Sequence, residues 1–168
     1  MEFGMIKLKE LISLNYQIFL DLDGVLTDFD KQMKSIGITS DYEEKHGTES
    51  FWGAIDKGGL KWWSEMPWMS DGKTLWNYVK DKNVKILSAP ARRLPQSIKG
   101  KKIWVSKNLG KVELILKRAS EKQHLAESNA ILIDDLAKNI NQWKAAGGIG
   151  ILHKSASSTI QQLKEVGI

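Results

Sequence analysis

Cysteine is absent from the 168 residues, which excludes disulfides, thiolate catalysis and cysteine-ligated zinc or iron–sulfur centres. Oxygen and histidine ligands remain for a metal. Only three prolines occur, too few for a long Pro-rich linker. No run approaches the ~20 apolar residues that cross a bilayer, and charge interrupts the segment from Met1 to Glu10 too often for a signal peptide. The expectation is a cytoplasmic protein with no membrane partner. Acidic residues are outnumbered, 20 against 25 Lys and Arg, for a formal charge of +5 and a pI near 9.3. That balance favours an anionic partner, a phosphorylated metabolite or nucleic acid. Lysines are scattered over the whole chain, with one denser run at Lys99-Gly-Lys-Lys102, so a dedicated nucleic-acid patch is not favoured.

What is present is a patterned globular sequence. Short β-branched or leucine-rich runs at Gln17 to Leu22, Val84 to Ser88, Val112 to Leu116 and Ala130 to Asp134 have the length of buried strands. Gly148 to Leu152 is a weaker fifth, because glycine loosens a strand interior. Between them lie helical spacings: Asp71 to Lys82 behind Ser70, Ile98 to Leu109 stopped by Gly110, Leu136 to Ala146 stopped by Gly147, and Ser157 to Val166. Alternation of strand and helix implies right-handed crossovers and a mainly parallel, Rossmann-like α/β sheet with helices on both faces.

One stretch breaks the alternation. Residues 31–68 carry polar residues, glycines and the cluster Phe51, Trp52, Trp62, Trp63 and Trp68, and they are too many for a simple loop. They are expected to form a small cap inserted after the first strand, on a core of residues 1–30 and 69–168.

Ligands of such sheets bind outside the carboxyl ends of the strands. There the first strand offers Asp21 and Asp23, the second Ser88, and the fourth Asp134 and Asp135. Asp21 and Asp23 are two apart, so pleating directs both to one side, and Gly24 lets the chain turn beside them. Carboxylates that close repel unless a cation lies between them, and oxygen ligands suit magnesium better than zinc. With the metal, one carboxylate can attack phosphorus while the other handles the leaving-group proton. Asp-x-Asp-Gly also reads as a turn closing a strand. Either member of the Asp134-Asp135 pair can cap the helix that follows, but two acids at a buried strand end need a cation or donors; Asp135 is the first choice as metal ligand, with Asp134 the alternative. Ser88 either begins a turn or holds a phosphoryl oxygen. Arg92 and Arg93, or Lys101 and Lys102, are candidates for the compensating positive charge. His46, His124 and His153 are read as surface or structural residues.

Taken as a set, Asp21-Leu-Asp-Gly-Val-Leu-Thr-Asp28, Ser88, a lysine near 101 and Ile133-Asp-Asp135 resemble the four motifs of haloacid dehalogenase-like (HAD) phosphatases. Within that superfamily the chain is most similar to the 5′(3′)-deoxyribonucleotidases and their bacterial and phage relatives, through Asp28-Phe29, Leu87-Ser-Ala-Pro90, Lys101-Lys-Ile-Trp-Val105 and Leu132-Ile-Asp-Asp135. The resemblance implies a magnesium-dependent phosphatase, a 5′-nucleotidase acting through an aspartyl-phosphate. Asp21 is then nucleophile and metal ligand, Asp23 acid/base and backbone ligand, and Asp135 the third ligand. Lys101, three residues before Trp104, is selected over Lys102 to hold the phosphate with Ser88. Phe29 and the cap aromatics Phe51, Trp52, Trp62 and Trp63 would face the nucleotide, although the cap needs a core of its own, and Arg118 is matched to a substrate-contacting arginine. Leu87 stands where those enzymes have threonine, and Leu136-Ala-Lys where they have Arg-Pro. The competing expectations are a phosphatase for nucleic-acid ends or another phosphorylated metabolite, and a non-catalytic binding protein of the same fold.

Overall fold

A computed structural model describes residues 15–91 and 94–168. Arg92, Arg93 and the segment from Met1 to Glu10 lie outside the described residues. The described sheet has β1 (Gln17–Leu20), β2 (Val84–Ser88), β3 (Leu114–Leu116), β4 (Ala130–Asp134) and β5 (Ile149–Leu152). Their order is β3-β2-β1-β4-β5, with every pairing parallel. The order reverses at β1, since the chain runs outward through β2 and β3 and then crosses to β4 on the other side. This is the topological switch point at which α/β sheets leave a crevice at their carboxyl edge.

Burial follows the pleat, because successive strand residues face opposite sides. Ile18, Leu20, Ile86, Ile131 and Ile133 belong to one apolar cluster, and Phe19, Leu87, Ala130 and Leu132 to a second on the other face. Leu87 is wholly buried there, so its side chain serves packing. On the first face lie α5 (Gly72–Val79) and α8 (Ala156–Val166), through Leu75, Val79 and Leu163. The second face is covered by Ile140 and Trp143 of α7 (Ala137–Ala145), with Phe19 edge-on to Trp143 at 5.3 Å between ring centroids.

Helix α6 (Pro95–Leu109) starts three residues before the Ile98 expected from periodicity, because Pro95 occupies a first-turn position where its missing N–H costs no bond. A 3-10 helix, Ala119–Leu125, fills the β3–β4 connection. No 3.6-residue period announces it. Helix α5 starts behind Asp71 rather than Ser70.

Residues after β1 form four short helices: α1 (Phe29–Ser35), α2 (Tyr42–His46), α3 (Thr48–Asp56) and α4 (Gly59–Ser64). The two chain crossings at their base are clamped, with Asp28 N–H donating to Pro67 O and Met69 N–H to Leu26 O, both at 2.8 Å. Helix α4 lies directly on α6. A Cβ on Gly100 would come within 2.1 Å of the Trp63 Cβ, so only glycine permits this approach.

Candidate active site at the carboxyl edge of the sheet

The register decides which side chains meet. Leu20 of β1 pairs with Ile133 of β4 and with Ile86 of β2, so the residues immediately beyond, Asp21, Asp134 and Leu87-Ser88, lie side by side at one edge. Asp21 N–H donates to Ile133 O at 3.0 Å, which fixes its backbone beside β4. The chain then turns tightly. Leu22 O accepts from the N–H groups of Val25, Leu26 and Thr27, while Gly24 N–H donates to Thr27 O. Gly24 has φ +81°, and a Cβ there would sit 2.1 Å from Asp135 Oδ2. Glycine is thus required twice, for the backbone conformation and for the space that the Asp135 carboxylate occupies.

Asp21 and Asp23 share a turn but not a partner. Asp23 accepts from Thr27 Oγ1 at 2.8 Å and from Lys101 Nζ at 2.5 Å, and the same ammonium donates to Ser88 Oγ at 2.7 Å. Asp21 faces a different cation, Lys122, whose Nζ lies 3.1 Å from its Oδ1 and 2.8 Å from Asp134 Oδ2. Lys122 is 2% exposed and Lys101 3%. Each is a buried charge held by carboxylates, the condition that makes such burial tolerable.

Lys122 escaped sequence reasoning. It lies in the 3-10 helix, where nothing periodic marks one lysine among 25 Lys and Arg. The available signal was indirect: a buried strand end carrying two acids requires a counter-charge from some element packed against it. Asn139 was also missed, and its Nδ2 donates to Asp134 Oδ2 at 3.0 Å.

These bonds separate the paired acids. Asp134 is fully buried and accepts from Lys122, Asn139 and, on its other oxygen, from Leu136 N–H at 2.9 Å. Asp135 projects into the space beside Gly24. Burial, only partly opposed by Lys122, raises the pKa of Asp21 to about 7. Burial and then the charge of Asp134 raise that of Asp135 to about 6. For Lys122, burial alone would lower the pKa, but the attraction of Asp21 and Asp134 outweighs it and the net shift is upward. Carboxylate oxygens of Asp21, Asp134 and Asp135 lie within 4.8 Å of one another, a group that could hold a metal ion. With Asp134 already accepting three hydrogen bonds, Asp21 and Asp135 are the members best suited to the metal.

A cavity of about 400 Å³ opens over this edge. Asp21, Asp23, Ser88, Lys122 and Asp135 line its floor, and Asp28, Phe29, Asp30, Met69 and Leu136 are among its other lining residues. Of the expected substrate-contacting residues, the structure brings Phe29 here and leaves the others elsewhere. Phe51, Trp62 and Trp63 are buried in the first apolar cluster, and Trp52 packs against it half-buried. The insert needs these rings for its own packing, and Trp62 and Trp63 hold Phe29 at centroid distances of 5.3 and 6.0 Å. Arg118 is exposed at the start of the 3-10 helix and does not line the cavity. Lys101 lies behind it, with its ammonium 5.8 Å from the Trp63 ring centroid. His46 and His124 are exposed. His153 is buried, with Nδ1 2.8 Å from Thr159 Oγ1, and burial lowers its pKa.

No protein-family model and no curated protein matches this chain. Among solved structures, it is similar to a hydrolase from Streptococcus pneumoniae TIGR4, with 18% identity, a TM-score of 0.55, and coverage of 89% of this chain and 98% of that one. That likeness is one of fold. The HAD domain of effector protein Lem4 (lpg1101) from Legionella pneumophila aligns over 90% of this chain and 93% of its own, with 12% identity and a TM-score of 0.44.

Proposed function

We propose that the chain is a HAD-type phosphomonoester hydrolase in which Asp21 is the nucleophile and Asp23 the acid/base. The observation that carries this reading is that the two carboxylates meet in one cavity, each held by its own buried lysine. Two acids in different environments can take different roles. The fold shared with a hydrolase agrees with it.

Asp21 would attack phosphorus, forming an O–P bond as the bond to the ester oxygen breaks, and Asp23 would deliver its proton to that departing oxygen. Water would then attack the aspartyl-phosphate, giving its proton to Asp23, and the bond from Asp21 to phosphorus would break to release inorganic phosphate. Lys122 supports Asp21, and Lys101 with Thr27 aims Asp23. Ser88, on the cavity wall, can donate to a phosphoryl oxygen. The residues fit magnesium: Asp21 and Asp135 bring hard carboxylate oxygens together beside Gly24, and the family resemblance would add the Asp23 carbonyl. When bound, the ion would offset negative charge on the phosphoryl oxygens.

The substrate we favour is a nucleoside monophosphate. A cavity of about 400 Å³ with Phe29 on its wall has the size range and aromatic surface that small-molecule sites use. Phosphate release from a simple aryl phosphate with magnesium tests the reaction, and a panel of nucleotides and sugar phosphates tests the substrate. Turnover of sugar phosphates alone would sink the nucleotide assignment.

A further inference from the structure

We propose that this cavity selects phosphomonoesters whose leaving group presents an apolar face and carries no negative charge of its own, with Leu136 and Asp30 as the residues that read it. The inference rests on the hydrolase reading and narrows its substrate class.

Leu136 is 54% exposed, more than Ile36, Ile98 or Ile103, the other exposed large apolar residues described. Unlike a scattered surface leucine, it lines the cavity. Its position is fixed, because its N–H is bonded to the buried Asp134 carboxylate at 2.9 Å and it holds the extended conformation before α7. Phe29 and Met69 line the same cavity, and Phe29 is braced edge-on by Trp62. A preformed apolar lip of this kind gains free energy by covering an apolar face of a ligand.

Charge at the mouth works in the same direction. Asp28 and the exposed Asp30 line the cavity. Among the described lining residues the one cation is Lys122, which is 2% exposed and already paired with Asp21 and Asp134. A leaving group with a second phosphate or a carboxylate would meet Asp28 and Asp30, and like charges repel. Nucleoside bisphosphates and phosphorylated nucleic-acid ends belong to the disfavoured class, and neutral or amine-bearing leaving groups to the favoured one.

The test is a paired substrate series on the full chain with magnesium: a nucleoside 5′-monophosphate against its 3′,5′-bisphosphate and a 5′-phosphorylated oligonucleotide, and phenyl phosphates bearing aminomethyl, methyl or carboxylate groups. The anionic members should have kcat/KM lower by about tenfold or more, the difference falling mainly in KM. Leu136→Arg should shrink that gap by lowering KM for the anionic members and raising it for the neutral ones. Asp30→Asn should shrink it through the anionic members alone. A purely structural role for either residue would move all substrates together. Equal or better turnover of the bisphosphate or oligonucleotide by the unaltered chain overturns the proposal, as does a gap that neither variant moves. Absence of turnover with every ester instead overturns the hydrolase reading beneath it.

Discussion

Asp21 and Asp23 leave one turn two residues apart, yet one is buried against Lys122 and the other is aimed by Lys101 and Thr27. If Asp21 is the nucleophile proposed above, Asp21→Asn removes the attacking oxygen with little change in volume, and turnover should fall at least about a thousandfold while circular dichroism stays unchanged; activity retained in this variant would remove the assignment. Lys122→Met leaves Asp21 and Asp134 buried without their counter-charge and should destabilise the metal-free protein by about 3–5 kcal/mol in urea unfolding. The acids also set a pH dependence. For a carboxyl whose folded pKa is raised, the unfolded chain ionises first, so stability is fully present below its ordinary pKa and is lost as pH rises through the folded value. With Asp21 raised from 3.8 to about 7 and Asp135 from 3.8 to about 6, metal-free protein should melt at a higher temperature at pH 5 than at pH 8. Magnesium, which on the proposed reading would bind the ionised carboxylates, should restore more stability at pH 8 than at pH 5. A melting temperature flat across that range would contradict the burial of these charges.

The helices and strands that carry these residues were readable to differing degrees. All five described strands fall within the short apolar runs that period and composition marked, β3 being limited to Leu114–Leu116 of the run from Val112. The β3–β4 connection was not readable, because a 3-10 helix repeats at three residues and is held by what it packs against. Packing of α4 on α6 depends on a single missing side chain. Gly100→Ala would push a methyl group into Trp63 and should cost about 1–3 kcal/mol, seen as a lower urea midpoint. Because Lys101 follows it directly on α6, the same variant should also lower kcat on aryl phosphate. A stability loss without any change in kcat would show that the helix contact and the site are independent. Gly24→Ala acts within the β1 turn and should weaken magnesium affinity, since the added Cβ competes with the Asp135 carboxylate for the same space.

Across the chain, the first apolar cluster runs without a break from sheet residues such as Ile18 and Ile133 to Phe51, Ile55, Trp62 and Trp63 of the insert. Elements that share one core unfold together. Tryptophan fluorescence, weighted toward Trp52, Trp62, Trp63 and Trp68 of the insert region, should therefore give the same urea midpoint as far-ultraviolet dichroism. A fluorescence transition at lower urea would mean that the insert is a separate folding unit.

Local chemistry made Asp-Leu-Asp-Gly, the Ile-Leu-Ile-Asp-Asp run and the strand–helix alternation legible from the residues alone, because each depends on neighbours in the chain: pleat, turn and period act over a few residues. The insert's tryptophans were ambiguous for a physical reason, since a large aromatic ring serves a core or a pocket equally well and its burial depends on what folds over it. The parallel register then determined what no local pattern contains. It set Asp21 beside Asp134, while tertiary packing put Lys101 against Asp23 and Lys122 against Asp21, buried Phe51, Trp62 and Trp63 in the core and left Leu136 exposed on the cavity wall. Contacts between residues a hundred positions apart are decided by the closure of the sheet, and the choice of partner for each buried charge follows from that closure.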